Sequence, residues 1–158
     1  MTDNVSRQKR REMMRGIRSS GTEPEKRVAA GLRSRRFRLG SNAYRHGFSF
    51  KPDFILPKFK TAVFVNGCFW HRHLGCKIAY EVKVESAKGQ QDWKRKFDAN
   101  IRRDKRNIKE TIDLGWRALV IWECATRKRE ILESCLDEAA EWIHSGDTYI
   151  EYPTESSG

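Results

Sequence analysis

The sequence V-N-G-C-F-W-H-R-H-L-G-C, residues 65–76, decides the organisation of this chain. It places two cysteines, two histidines and a Phe-Trp pair within twelve positions, directly after the β-rich run at 61–64. Cysteine thiolate and imidazole nitrogen are the ligands that tetrahedral zinc prefers. Adjacent aromatic side chains are costly to leave in water, since each buries roughly 150–250 Å² when it finds a partner. We therefore expect a zinc site, an aromatic wedge for nucleic acid and part of an active site in one loop.

Charge is the strongest compositional signal. The 158 residues carry 32 Lys and Arg against 21 Asp and Glu, for a formal net charge of +11. Charge of this size favours a polyanionic partner such as DNA, whereas a solvated basic surface without a partner is the alternative. No apolar run is long enough to span a membrane. The chain shows no signal-peptide pattern, so we expect a cytoplasmic protein whose four cysteines are thiols or metal ligands.

Three regions are predicted along the chain. Residues 1–21 form a basic DNA-binding arm, since twelve Lys and Arg stand against four acidic residues up to position 40. Residues 6–17 have too few apolar side chains to dock on a core, so we expect this arm to become ordered on DNA. Residues 22–152 form a single catalytic domain with one core, and residues 153–158 form a disordered tail.

The secondary-structure pattern predicts an α/β fold, a small mixed β-sheet flanked by helices on both faces. A capping box at 22–25 begins the first helix, and Gly115 ends the long helix predicted at 91–114. The strand at 61–65 is nearly all apolar and should be central. The predicted helices are 22–35, 91–114 and 127–144, and the predicted strands are 37–39, 52–56, 61–65 and 116–122.

The cysteine pattern predicts structural zinc. Cys68, His73 and Cys76 supply three ligands at spacings that one loop can close, and Cys124 follows an apolar strand. Four protein ligands leave no open position, so such a site is structural. Cys135 has the spacing of a buried helix position and is assigned to the core. The alternative interpretation is ordinary buried cysteines with surface histidines.

A magnesium site is predicted at Asp53. This aspartate opens one strand about a dozen residues before the end of the next, which places its carboxylate beside the terminal carbonyls of the strand 61–66. Mg²⁺ prefers oxygen ligands and retains waters, so one carboxylate, one carbonyl and phosphate oxygens suffice. A Pro-Asp pair alone is more often a turn. His71 is not needed for zinc and stays free for catalysis.

These segments together resemble the very short patch repair (Vsr) DNA mismatch endonucleases. That family belongs to the PD-(D/E)-x-K nuclease superfamily but lacks its usual Glu-x-Lys half. The resemblance implies a restriction-endonuclease-like αβββαβ core with a structural zinc site. The matching segments are T-x-x-E-K-R at 22–27, P-D-F at 52–54, G-C-F-W-H-x-H at 67–73, R-D at 103–104 and L-G-W-R-x-L-x-x-W-E-C at 114–124.

The resemblance implies a Mg²⁺-dependent endonuclease that nicks double-stranded DNA 5′ of the thymine in a T·G mismatch. Such mismatches arise when 5-methylcytosine deaminates, and the nick initiates very short patch repair. It further implies a monomer with functional links to a cytosine-5 DNA methyltransferase and to mismatch repair proteins. A related nicking or restriction-type endonuclease with another specificity is the first alternative. A non-catalytic zinc-containing DNA-binding protein is the second, although carboxylates facing phosphate would repel it unless a metal intervened.

The family's catalytic roles transfer to four side chains and one backbone carbonyl. Asp53 would bind Mg²⁺ with the carbonyl of Val65, and Glu25 would act through a water of the metal. His71, oriented by Asp104, would take part in the transfer of the proton of the attacking water. Histidine suits proton transfer because its usual pKa is near neutral. The alternatives are that Glu25 only caps its helix and that Asp104 only pairs with a neighbouring arginine.

The resemblance also implies a DNA wedge. Met14, Phe69 and Trp70 would enter the base stack, which costs a few kcal/mol per unstacked step and less at a mismatch. Arg15 and Arg18 of the arm are candidate DNA contacts.

Asn66 departs from the family pattern. The better-known members carry a histidine directly after the metal-binding carbonyl, and Asn66 occupies that position here. Asparagine can hydrogen-bond a phosphate but cannot donate a proton near neutral pH. We retain Asn66 as a candidate catalytic residue. One extra residue between His73 and Cys76 should be tolerated by the zinc loop.

Overall fold

The structure is a computed structural model of the 158-residue chain and describes residues 21–68, 71, 73, 76 and 87–153. The predicted arm, apart from Gly21, and the predicted tail, apart from Pro153, lie outside the described residues. The elements, in chain order, are α1 (Glu23–Ser34), β1 (Phe54–Leu56), β2 (Thr61–Asn66), α2 (Ala87–Asp113), β3 (Arg117–Trp122), α3 (Glu123–Thr126), α4 (Arg129–Ser145) and β4 (Tyr149–Tyr152), with 3-10 turns at Ala43–His46 and Pro57–Phe59.

The four strands form one mixed sheet in the order β1-β2-β3-β4. β1 runs antiparallel to β2, whereas β2, β3 and β4 are parallel neighbours. Parallel neighbours need crossover connections, and α2 and α4 supply them here. The register sets Asn66 level with Trp122, so β2 and β3 end at the same edge of the sheet. The residues that follow these two strands therefore meet in space.

Alternating side chains of the strands pack into two hydrophobic cores, one on each face of the sheet. Val63 of β2 points into the core under α1 and α4, while Ala62 and Phe64 point into the opposite core. The second core also contains Trp122 and two of the loop cysteines. Helices or turns cover both faces, and the mixed α/β sheet predicted from the sequence is confirmed.

The start of α1 follows the predicted capping pattern with a small shift. Thr22 Oγ1 accepts a hydrogen bond from the Glu25 N–H at 3.4 Å. The Glu25 carboxylate reaches back to the N–H of Gly21 at 2.6 Å, one residue before the N-cap. Glu25 is buried, so this carboxylate faces the protein interior and not solvent.

One predicted strand, residues 37–39, is wrong. Arg36 has a positive φ of 69°, which turns the chain, and Phe37 packs edge-on against Phe59 in the core. Only an isolated antiparallel bridge between Gly40 and Ile55 remains. The three consecutive strands of the expected αβββαβ order are therefore two strands and a bridge.

The C-terminal third also differs from the prediction. The helix expected at 127–144 is confirmed as α4 within two residues, whereas the short α3 before it and β4 after it were not predicted. In α2 the polar residues Thr111 and Asn100 are buried, whereas Ile112 is exposed.

Within the described residues, no helix is long and apolar enough to cross a membrane.

Candidate functional site

The carboxylate of Asp53 lies at the end of β2, where the sequence pattern placed it. Asp53 immediately precedes β1, and the antiparallel pairing of β1 with β2 brings it beside the last peptide groups of β2. Asp53 Oδ2 accepts a hydrogen bond from the Val65 N–H at 2.7 Å. This contact fixes the carboxylate next to the peptide whose carbonyl is the candidate magnesium ligand.

A second carboxylate, that of the buried Glu25, lies close enough to Asp53 to affect its pKa. Burial, together with repulsion from Glu25 and Asp104, raises the pKa of Asp53 to about 7, although the Val65 N–H opposes the rise. Two neighbouring carboxylates in a largely buried site resist being ionised together, and a bound cation removes this repulsion. The donor set of two carboxylates and an adjacent strand-end carbonyl therefore fits a hard cation such as Mg²⁺.

His71 and Asp104 form the second pair of the site. The Nδ1 atom of His71 is hydrogen-bonded to Asp104 Oδ2, which projects from α2. The His71 backbone N–H donates to the Gly67 carbonyl at 3.0 Å, which holds the residue directly after β2. A carboxylate on Nδ1 selects the tautomer that leaves Nε2 free to accept a proton.

The predicted zinc ligands converge on one point. Candidate ligand atoms of Cys68, His73, Cys76 and Cys124 all lie within 4.8 Å of one another. His73 Nδ1 is 3.7 Å from the Cys68 sulfur and 3.6 Å from the Cys124 sulfur. Zinc with Zn–S near 2.3 Å and Zn–N near 2.0 Å in tetrahedral geometry gives an S···N separation of about 3.5 Å. The cluster thus fits a four-coordinate, closed zinc site.

The thiols of this cluster differ in acidity because of their contacts with one another. The hydrogen bond with Cys124, and then burial, raise the pKa of the Cys68 thiol. The same hydrogen bond lowers the pKa of Cys124 to about 6, with His73 contributing. Zinc binds thiolate, so a cluster that holds one thiolate at neutral pH favours the ion.

Of the remaining predicted site residues, the structure describes only Asn66. Asn66 is partly buried at the last position of β2, level with Trp122 on β3. The predicted arm and wedge contacts lie outside the described residues, and these are Met14, Arg15, Arg18, Phe69 and Trp70.

Trp122 and Glu151 are site neighbours that the sequence analysis did not identify. The Trp122 ring stacks on the His73 ring at 4.2 Å with an 8° interplanar angle. Its indole N–H donates to Glu151 Oε2 at 3.1 Å. The alternation of Y-I-E-Y at 149–152 was the available signal for β4, on which Glu151 lies.

Comparison with known proteins agrees with this geometry. The model of the family described as DNA mismatch endonuclease Vsr matches residues 2–77. The DNA mismatch endonuclease Vsr of Escherichia coli K12 is 34% identical over 145 residues, which cover 90% of this chain and 88% of that protein. The Type II nicking enzyme V.XorIIP of Xanthomonas oryzae pv. oryzae is 38% identical over 139 residues, 86% of this chain and 95% of the relative. The Type II nicking enzyme V.NmeAIP of Neisseria meningitidis is 36% identical over 137 residues, 87% of this chain and 93% of the relative.

These matches extend over both halves of the site, from Glu25 to the cysteine at 124. Such relatives indicate a DNA endonuclease, and hence a hydrolase. The chain belongs to the Vsr family of DNA mismatch endonucleases.

Proposed function

We propose that this protein is a Mg²⁺-dependent endonuclease that nicks double-stranded DNA 5′ of the thymine in T·G mismatches. In this role it initiates very short patch repair after deamination of 5-methylcytosine, in the cytoplasm and as a monomer, in functional connection with a cytosine-5 methyltransferase and mismatch repair proteins. The observation that carries the proposal is the meeting of Asp53, Glu25, His71 and Asp104 at the end of β2. The T·G preference rests on the resemblance of the motifs to the family.

The carboxylate pair is the proposed Mg²⁺ site. Asp53, with the carbonyl of Val65 and support from Glu25, would hold the ion, which supplies charge neutralisation for the phosphodiester when bound. The structural zinc would be held by the cysteine-histidine cluster. Four protein ligands would leave no open position on the ion, so zinc would stabilise the loop and take no part in cleavage.

His71 has the proposed proton-transfer role. Asp104 holds its Nδ1, so Nε2 is the atom that takes a proton from the attacking water. We expect His71→Ala to lower the single-turnover nicking rate by about 10²–10⁴-fold, the usual value of general-base help. DNA affinity should remain near the parental value. Single-turnover rates and gel-shift titrations on the same duplex measure both.

His46→Ala is the matched control for this variant, because His46 is exposed and packs on Trp116, away from Asp104. Its nicking rate should equal that of the parental protein. A parental rate in His71→Ala would remove His71 from the mechanism.

The exposed side of α2 supports a DNA partner. Six lysines and arginines lie within about 120° of the helix circumference and along about 22 Å of its length. All six are exposed, and they are Lys94, Arg95, Arg102, Lys105, Arg106 and Lys109. Asp104 lies on the same helix, on the side that faces His71. A basic ridge next to the catalytic pair is suited to the phosphate backbone of a duplex, whose neutralisation releases counterions.

Asn66 is expected to limit the rate. It lies at the end of β2 beside the proposed metal site, where an imidazole could donate a proton and an amide cannot. We expect Asn66→His to raise the nicking rate, by up to about 10-fold, with an added dependence on pH near neutrality. Rates measured across pH 6–9 test this, and Asn66→Asp serves as the control that adds charge without an acid of suitable pKa. A lower rate in Asn66→His would show that the site is adapted to the amide.

The substrate preference separates the proposal from its alternatives. The relatives named Type II nicking enzymes favour the second candidate, a nicking enzyme with a different sequence or mismatch preference. Labelled duplexes of one sequence, carrying T·G, T·A or C·G at the same position, are incubated with Mg²⁺ or with chelator. The proposed function predicts a nick 5′ of thymine in the T·G duplex when Mg²⁺ is present and no nick when chelator is present. Equal nicking of paired duplexes favours the second candidate, and binding without nicking favours the non-catalytic one.

A further inference from the structure

Trp122 contacts both histidines of the site. Its ring lies flat against His73 at 4.2 Å, and it meets the His71 ring edge-on at 6.4 Å and 76°. The edge-on distance lies in the range of about 4.5–7 Å in which aromatic rings attract one another, and the stacked pair is slightly closer. The indole is buried, so its orientation is set by protein contacts. One rigid side chain therefore lies between the zinc cluster and the proton-transfer pair.

The orientation of that indole is fixed by Glu151. The β3–β4 register pairs Val120 with Glu151, which puts the Glu151 side chain on the same face of the sheet as Val120 and Trp122. Glu151 Oε2 accepts the Trp122 indole N–H at 3.1 Å and the Tyr149 hydroxyl at 3.2 Å. A charged acceptor makes such a hydrogen bond stronger and more directional than a neutral one.

We propose that Trp122, oriented by Glu151, is a positioning residue that sets the ring of His71 for proton transfer and holds it at a fixed distance from the zinc cluster. Asp104 fixes His71 through one ring nitrogen only, which leaves rotation about that hydrogen bond. The edge of Trp122 restricts this rotation from the side of the sheet. The stack on His73 in turn connects the indole to a residue that bound zinc would hold in place.

The proposal rests on the proposed function and assigns β4 a role in it. Glu151 is about 80 positions from His71 in the sequence and acts only through Trp122. Loss of the Glu151 acceptor should therefore change the chemical step and not the affinity for DNA. Partners of this outer kind typically contribute about 10–100-fold in activity.

Four variants test the inference. Glu151→Ala removes the acceptor, Trp122→Phe removes the donor but keeps an aromatic ring, and Glu151→Gln retains a carbonyl acceptor. Tyr149→Phe is the control, since it removes the other hydrogen bond to Glu151 and leaves Trp122 untouched. Single-turnover rate, KM for the T·G duplex, zinc content and melting temperature are measured for each folded, zinc-loaded variant.

We expect Glu151→Ala and Trp122→Phe to lower the single-turnover rate by about 10-fold, with unchanged KM and about one zinc per chain. Glu151→Gln should restore the rate to within about 2-fold of parental, and Tyr149→Phe should equal it, because both keep an acceptor for the indole N–H. An equal loss in Glu151→Gln and Glu151→Ala would show that the charge of β4 matters rather than this hydrogen bond. That result, or parental rates in both Glu151→Ala and Trp122→Phe, would overturn the inference.

A readout without turnover separates this inference from the proposed function. The ¹⁵N signals of the His71 ring report its tautomer and its hydrogen bond to Asp104 in the absence of DNA. They should broaden or shift in Glu151→Ala and Trp122→Phe and stay in place in Tyr149→Phe. If the parental protein nicks no duplex, the proposed function fails, and unchanged ring signals in Glu151→Ala separately refute the positioning role.

Discussion

Replacement of Asp53 by alanine should abolish nicking of the T·G duplex, a loss of at least about 10⁴-fold, while binding to the same duplex in Mg²⁺-free buffer is retained. The reason is that Asp53 is the carboxylate fixed against the end of β2, where it would hold the metal ion that neutralises the phosphate. Removal of a negative charge beside phosphate cannot weaken the electrostatic part of binding. Nicking assays with Mg²⁺ and gel shifts without it measure the two effects.

Trp70→Ala should have the opposite effect, a loss of DNA binding rather than of the chemical step. It removes the proposed wedge, so it should weaken mismatch binding and reduce the preference for T·G over paired DNA. Nicking by Asp53→Ala at the parental rate would refute the metal-site assignment, and the non-catalytic alternative would then be favoured.

Asp53→Asn should also stabilise the metal-free protein, by about 1–3 kcal/mol at pH 8. Burial, and then repulsion from Glu25 and Asp104, raise the pKa of Asp53 from 3.8 to about 7. A carboxyl with a raised pKa binds its proton more tightly when folded, so unfolding becomes easier as the pH rises from about 4 to about 7. Asparagine should remove this pH dependence, and it should also remove the rise in melting temperature that we expect Mg²⁺ to give the parental protein. Thermal melts at several pH values, with and without Mg²⁺, test both expectations.

Loss of Cys124, a proposed zinc ligand, is the other change of large expected effect. Cys124→Ala should remove the bound zinc, about one ion per chain, and most of the free energy of unfolding. Structural zinc contributes roughly 10–16 kcal/mol in small metal-dependent domains, whereas a whole domain is stable by only about 5–15 kcal/mol. Elemental analysis and thermal melts give the two quantities.

Cys135→Ala provides the internal control for the zinc prediction. Cys135 is buried among the α4 side chains and lies outside the cluster of candidate ligands. This variant should keep its zinc and lose only about 1–2 kcal/mol from a small core cavity. A well-folded parental protein without zinc would exclude the structural-zinc assignment.

The sequence predicted the parts of the fold whose signals are local. The capping box at Thr22 and the apolar run of β2 correspond to a helix and a central strand within one or two residues. The spacing of Cys68 and His73 predicted a cluster that the structure brings together. Turn and cap chemistry acts over a few residues, and therefore a single sequence is enough to recognise it.

The rest depended on contacts between distant residues. Phe37 has the composition of a strand, but a turn at Arg36 directs its ring into the core beside Phe59. β4 is four residues long with Tyr149 exposed, so its strand character comes mainly from pairing with β3. The hydrogen bond from Trp122 to Glu151 crosses 29 positions of sequence, and no local pattern encodes it.

The parallel register of β2 and β3 determines whether the cysteine cluster can assemble. Asn66 lies level with Trp122, and Cys68 and Cys124 each follow two positions later. A slip of one residue would move the two sulfurs apart by about 3.3 Å and turn every β3 side chain to the wrong face. Parallel strands separated by a long helix find each other slowly, so misaligned pairings compete during folding. Only the correctly aligned chain would bring all four candidate ligands together, so bound zinc would stabilise the correct strand register relative to misaligned ones.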